Sequence, residues 1–130
     1  MEWAEITIVF LISHLAGDFL LQTDWQAEHK HGGLGRDSTA RTALFSHVAV
    51  YTLCFVPALI WVGGDTGALA AVGLGAVIFL PHLVIDDGRI VGLYLTRVKH
   101  AEPDPRIAAP VDQAFHALSL CIVALLIGTA

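Results

Sequence analysis

Charge is scarce in this chain. Only 15% of its residues carry a formal charge, against about a quarter in a soluble domain of ordinary composition. Cysteine is nearly missing too. Cys54 and Cys121 are the two present; they have no CxxC spacing and both fall in apolar runs. That excludes a zinc knuckle or a dithiol redox motif and leaves small buried hydrophobes. There is no basic patch with interleaved aromatics, so nucleic acid is not an expected partner. No Lys or Arg precedes the first apolar run and no clean small-residue site follows it, so it does not read as a cleavable signal peptide.

What is present is apolar. Hydrophobic residues make up 55% of the 130-residue chain, and they come in runs. A membrane span needs about 20 mainly apolar residues. Residues 42–64, 66–85 and 113–130 hold no formally charged side chain, and 6–21 is broken only by Asp18. Four such runs and their connections occupy residues 1–130, so one four-span transmembrane domain is expected. The connections are unequal. Gly63-Gly64-Asp65-Thr66 is a tight turn, whereas 23–41 and 87–110 are long and polar. In an up-down, all-α four-helix bundle the two long connections share one side and both termini the other.

All seven basic residues, Lys30, Arg36, Arg41, Arg89, Arg97, Lys99 and Arg106, lie on the long-connection side, opposite Glu2, Glu5 and Asp65. The positive-inside rule therefore predicts cytoplasmic long loops, with the N and C termini outside an inner (cytoplasmic) membrane. Trp3 and Trp61 fall at the outer interface and Trp25 at the inner one. The sequence predicts that His31-Gly32-Gly33 stops a first helix overrunning the membrane. Asp37 or Ser38 is expected to cap the second helix, Asp86-Asp87-Gly88 to end the third, and Pro110 to open the fourth. Residues 89–99 read as a short amphipathic segment along the inner interface. Ala68, Ala71, Gly73 and Gly75 allow close helix packing.

Of seven histidines, His29, His31 and His100 lie in connections, and His14, His47, His82 and His116 fall one to each span. His14 is four residues from Asp18, His82 from Asp86, and His116 from Asp112. That spacing puts each pair on one helix face. In an up-down bundle all seven side chains reach one layer near the inner leaflet, with Gln22, Tyr51 and Gln113 next to them. An aspartate at mid-membrane costs about 2.5–3.5 kcal/mol, so three unpaired ones would cost roughly 8–10 kcal/mol. A divalent cation removes that penalty, and the ligand types suit zinc, with iron or manganese as alternatives. Haem ligated by two histidines is a further alternative, but it leaves the aspartates without a role. No Glu-x-x-His element, the usual mark of a bundle di-iron site, falls in an apolar run.

Several of these elements together resemble a known family. His14-Leu-Ala-Gly-Asp18-Phe-Leu-Leu-Gln22-Thr-Asp24-Trp25, Ser46-His47, His82-Leu-Val-Ile-Asp86 and Asp112-Gln113-Ala-Phe-His116 are similar to the small bacterial membrane proteins grouped as domain of unknown function 3307. The likeness spans nearly the whole chain and implies no activity. The His-x-x-x-Asp elements alone also resemble membrane-embedded metal-dependent hydrolases, including those that act on lipid amides.

The function expected is metal-dependent hydrolysis of an amphiphilic substrate reached from the inner leaflet. His14, Asp18, His47, His82, Asp86, Asp112 and His116 are the candidate ligands of one or two ions, and Asp86 or Asp112 the general base. The same residues could instead serve an ion or proton carrier. For a chain of this size that would call for a homo-oligomer, since only Pro81 marks a break near mid-span. A haem or di-iron redox protein is the third reading.

Overall fold

In the computed structural model, residues 1–102 and 104–129 are described. Pro103, in the second long connection, and Ala130, at the end of the fourth run, lie outside the described residues. The described residues form seven α-helices: α1 (Trp3–Leu15), α2 (Asp24–His29), α3 (Ser38–Cys54), α4 (Val56–Thr66), α5 (Ala68–Asp86), α6 (Arg89–Arg97) and α7 (Pro105–Ile127). Three helical stretches, Trp3–Leu20, Ala68–Asp86 and Pro105–Ile127, are long and apolar enough to cross a membrane. The pair α3 and α4 makes a fourth if taken as one bent span. Large apolar side chains face outward along these helices, among them Ile8, Ile12, Leu53, Ile60, Leu69, Val72, Leu80, Leu118 and Leu126.

The buried stripes share a simple rule. Ile6-Phe10-His14-Asp18, Leu74-Ile78-His82-Asp86 and Leu120-Ala124, preceded by Asp112-His116, each step by four residues, as do His47-Tyr51-Phe55. Steps of four stay on one helix face. In each stripe the apolar members meet Val62 and Val123 in a core at the end of the molecule that holds the termini. The polar members are left one layer further on. Beyond them Ile85, Val91 and Leu95 form a second apolar cluster with Ala108, Val111 and Phe115. The chain ends meet at one end of the fold, where Trp3 N–H donates to Thr129 O and Thr129 N–H to Met1 O.

Five expectations about helix boundaries and breaks need correction. The first helix does not overrun to His31. It passes into a π-helical turn, Ala16–Leu20, and breaks before α2, where Thr23 and Gln26 form a reciprocal capping box that starts a new helix. The second span is not straight. It breaks at Phe55 with a 52° bend, because Pro57 in the first turn of α4 has no N–H for the carbonyl four residues back. The supposed turn 63–66 is helical, and Gly67 alone, at φ 91°, separates α4 from α5. Pro110 lies inside α7, which begins at Pro105 behind the Asp104 cap. Much of the second long connection is therefore helix. Pro81, read as a possible break, sits within a continuous α5.

Other boundaries agree. Asp37 caps α3 by accepting from Ala40 N–H, and α5 stops at Asp86 ahead of Gly88, whose φ of 82° suits glycine alone. Small residues bring α4 onto α5: a Cβ on Gly63 would lie 3.0 Å from that of Ala71.

Candidate metal centre

Each polar side chain arrives by a different local device. Asp18 sits in the π-turn, where one extra residue re-aims a helix side chain. Gly17 beside it lets the turn press on α3, since a Cβ there would come within 2.6 Å of Tyr51 Cδ2. The Tyr51 ring in turn lies flat on His82, centroids 3.4 Å apart. Gly17→Ala is accordingly expected to cost about 1–3 kcal/mol through overpacking and to displace Tyr51. A lowered melting temperature in detergent checks this, and unchanged melting would remove the steric role assigned to Gly17.

The structure brings all seven candidate residues into one network. Asp86 is wholly buried. Its Oδ2 lies 2.9 Å from His47 Nε2 and 3.1 Å from His82 Nε2. Asp18 Oδ1 lies 3.4 Å and 3.6 Å from the same two nitrogens, which are 3.2 Å from each other. Both carboxylates thus approach the same two imidazole nitrogens. Four ligands bound at about 2.0–2.1 Å around tetrahedral zinc stand roughly 3.3–3.4 Å apart. The donor types fit a divalent ion. Asp18 Oδ1, Asp86 Oδ1, and Nδ1 of His47 and His82 are buried without a hydrogen-bond partner among the described residues, whereas Asp86 Oδ2 has nitrogen neighbours at 2.9–3.1 Å. Such groups are costly to leave bare.

His14, Asp112 and His116 complete the layer. His14 places Nδ1 at 3.2 Å from the Tyr51 hydroxyl and Nε2 at 3.0 Å from Gln113 Oε1. Gln113 Nε2 donates to Asp18 Oδ2 and to Asp112 Oδ2. One hydrogen arrangement satisfies the whole chain: Tyr51 donates to His14, His14 to Gln113, and Gln113 to both carboxylates. His14 therefore holds the amide that orients Asp18, besides lying 3.6 Å from Asp18 Oδ2 through Nδ1. His116 Nδ1 donates to Asp112 O at 2.9 Å, which turns its Nε2 toward Asp86 Oδ1, 3.6 Å away. Three groupings have ligand atoms close enough to share an ion: His14, Asp18 and His82; His47, His82 and Asp86; and Asp86, Asp112 and His116. The loop histidines His29, His31 and His100 are exposed.

One member was not anticipated. Lys30, read only as part of the basic loop, is buried, with Nζ 3.0 Å from Asp86 Oδ2. It gets there because the chain after α2 folds back onto the end of α5: Gly32 N–H donates to Asp87 O and Leu34 N–H to Asp87 Oδ1. With its amide suitably turned, Gln22 accepts from Lys30 Nζ and donates to Asp18 O. The only signal in the sequence was the excess of buried carboxylates, which calls for a nearby cation but does not say which one.

A cavity of about 550 Å³ adjoins the cluster, reaching it at Gln22, Lys30, Asp112 and Gln113. Its other walls are mainly apolar and come from Phe19, α6 and the first turns of α7. No curated protein and no solved structure matches the chain. Residues 6–130 match the family described as protein of unknown function (DUF3307), and the chain belongs to that family.

Proposed function

We propose that this protein is a membrane-embedded, metal-dependent hydrolase of amphiphilic substrates. The observation that carries this reading is the buried His47–His82–Asp18–Asp86 set, two carboxylates converging on two imidazole nitrogens, next to a mostly apolar cavity. A purely structural hydrogen-bond network would not be expected to leave Asp18 Oδ1 and Asp86 Oδ1 bare. Haem fits poorly, because Tyr51 packed on His82 fills the space a macrocycle needs. A bound divalent ion, zinc by ligand type, supplies Lewis-acid activation of a carbonyl or phosphoryl oxygen and of water. Asp86, buried on every side, holds and orients. Asp112 lines the cavity and is the carboxylate placed to take a proton from water there. The apolar walls receive the hydrocarbon part of the substrate and exclude bulk water.

The outward apolar side chains suit lipid, so the four spans form an up-down bundle in a bacterial cytoplasmic membrane. The bent α3–α4 pair serves as the second span, and α6 lies along the inner interface. The pairing of Trp3 with Thr129 puts both termini at one end, and the basic loops at the other make that end the outer one. A reporter fused after the C-terminal residue should be active only outside the membrane; cytoplasmic activity reverses the orientation and the side from which the cavity opens.

Metal analysis of the purified protein, with an absorption spectrum, tests the proposal. Zinc in stoichiometric amount and no visible band are expected, together with zinc-dependent cleavage within a panel of lipid esters, amides and phosphodiesters. Protein that is folded, metal-free and unable to take up zinc would sink the reading. A second reading, an ion or proton carrier, is favoured by the break at Phe55 and the π-turn, since interrupted helices beside buried ionisable groups are a transporter feature. Ion flux into vesicles containing the protein, without hydrolysis, would select it.

A further inference from the structure

We propose that the centre takes two divalent ions, with Asp86 as the carboxylate shared between them, and that the second ion is the one open to the cavity. This rests on the metal-dependent reading above. His47, His82 and Asp86 form one group of ligand atoms, and Asp18 Oδ1 lies 3.4 and 3.6 Å from the two imidazole nitrogens, so protein donors crowd this side. A closed shell of protein ligands is the pattern of a structural site, whereas a catalytic site keeps a position free. The free position lies on the other side of Asp86.

There, Asp86 Oδ1 and His116 Nε2 face each other at 3.6 Å. Both atoms are buried, and neither has a hydrogen-bond partner among the described residues. The donor role of His116 Nδ1 toward Asp112 O leaves Nε2 with its lone pair, the usual way a second bond sets the ligand nitrogen. Asp112 joins Asp86 and His116 in a group whose ligand atoms lie within 4.8 Å of one another, and it is also the residue that borders the cavity. Three protein ligands then hold the second ion and leave its cavity side to water or substrate. A carboxylate with one oxygen on each ion sets the spacing typical of two-metal hydrolases, about 3.5–4 Å. Asp112 can bind with one oxygen and still accept a proton with the other.

The two sites also differ in surroundings. Lys30 stands beside Asp86 Oδ2, on the closed side, and no Lys or Arg is within ion-pair distance of Asp112 among the described residues. The Asp112 side therefore keeps negative charge available to a second cation.

Native mass spectrometry of the detergent-solubilised chain after titration with zinc alone tests the stoichiometry. The wild type should hold about two ions and Asp112→Asn and His116→Gln about one. Loading with manganese instead should give the spectrum of an exchange-coupled pair in the wild type and of an isolated ion in both variants. One ion in the wild type, two uncoupled ions, or two ions retained by both variants would each overturn the dinuclear assignment while leaving a metal-dependent function standing. No ion at all in folded wild type would remove both.

Discussion

Asp86→Asn is expected to lower zinc affinity by roughly 100-fold or more and to destabilise the metal-free protein by about 3–5 kcal/mol. The change keeps the side chain's shape but removes an anionic oxygen that lies within 3.1 Å of His47, His82 and Lys30. The loss of metal follows from the missing ligand. The loss of stability follows from Lys30, whose buried ammonium is left without its counter-charge. The double variant Asp86→Asn/Lys30→Met removes both charges, so it should regain most of the stability and none of the zinc affinity. Zinc titration and thermal unfolding in detergent read the two effects separately. Equal zinc content with higher thermal stability in Asp86→Asn would instead make the cluster a scaffold, its carboxylates offsetting histidines and nothing more.

Lys30→Met has the opposite signature. Without metal, Asp18 and Asp86 face the same pair of imidazole nitrogens, and Lys30 is the permanent cation nearest to them. Its removal should cost the metal-free protein about 3–5 kcal/mol, as for any buried pair broken from one side. Zinc takes over the neutralising role, so the loaded variant should approach wild-type stability. Binding to the folded state alone contributes about 4 kcal/mol at a thousandfold excess over the dissociation constant, enough to offset most of the loss. The rise in melting temperature on adding zinc should therefore be several degrees larger in Lys30→Met than in wild type. Identical rises in the two proteins would mean that Lys30 and the metal do not share Asp86.

Both effects turn on a residue that periodicity could not find. The His14–Asp18, His82–Asp86 and Asp112–His116 pairs were legible because a helix converts a spacing of four into a shared face. The apolar runs were legible because a lipid-facing helix is apolar for most of its length. Lys30 lies outside every run. Its place depends on Gly32 and Leu34 reaching Asp87, a contact between segments more than fifty residues apart. Helix boundaries failed for a related reason. Hydropathy does not register a missing N–H, so the bend at Phe55 was hidden inside an unbroken apolar run, and a proline at position 110 looked like a helix start although Asp104 caps the helix a turn and a half earlier.

The amino-acid sequence by itself determined the helical class, the apolar stretches long enough to span a membrane, the family, and the seven histidine and aspartate residues of the cluster, though not Lys30. All of these depend on residue type and on spacing within one helix, and a local periodicity specifies them. Only the tertiary structure decided which atoms face which. Asp86 turns one oxygen to His47 and His82 and the other to His116, His14 is occupied by Tyr51 and Gln113, and Lys30 closes one side of the cluster while a cavity opens beside Asp112. These are relations between helices. They are set by the π-turn at Asp18, the bend at Phe55 and the close approach at Gly17, where backbone geometry rather than hydrophobicity determines the direction in which a side chain points.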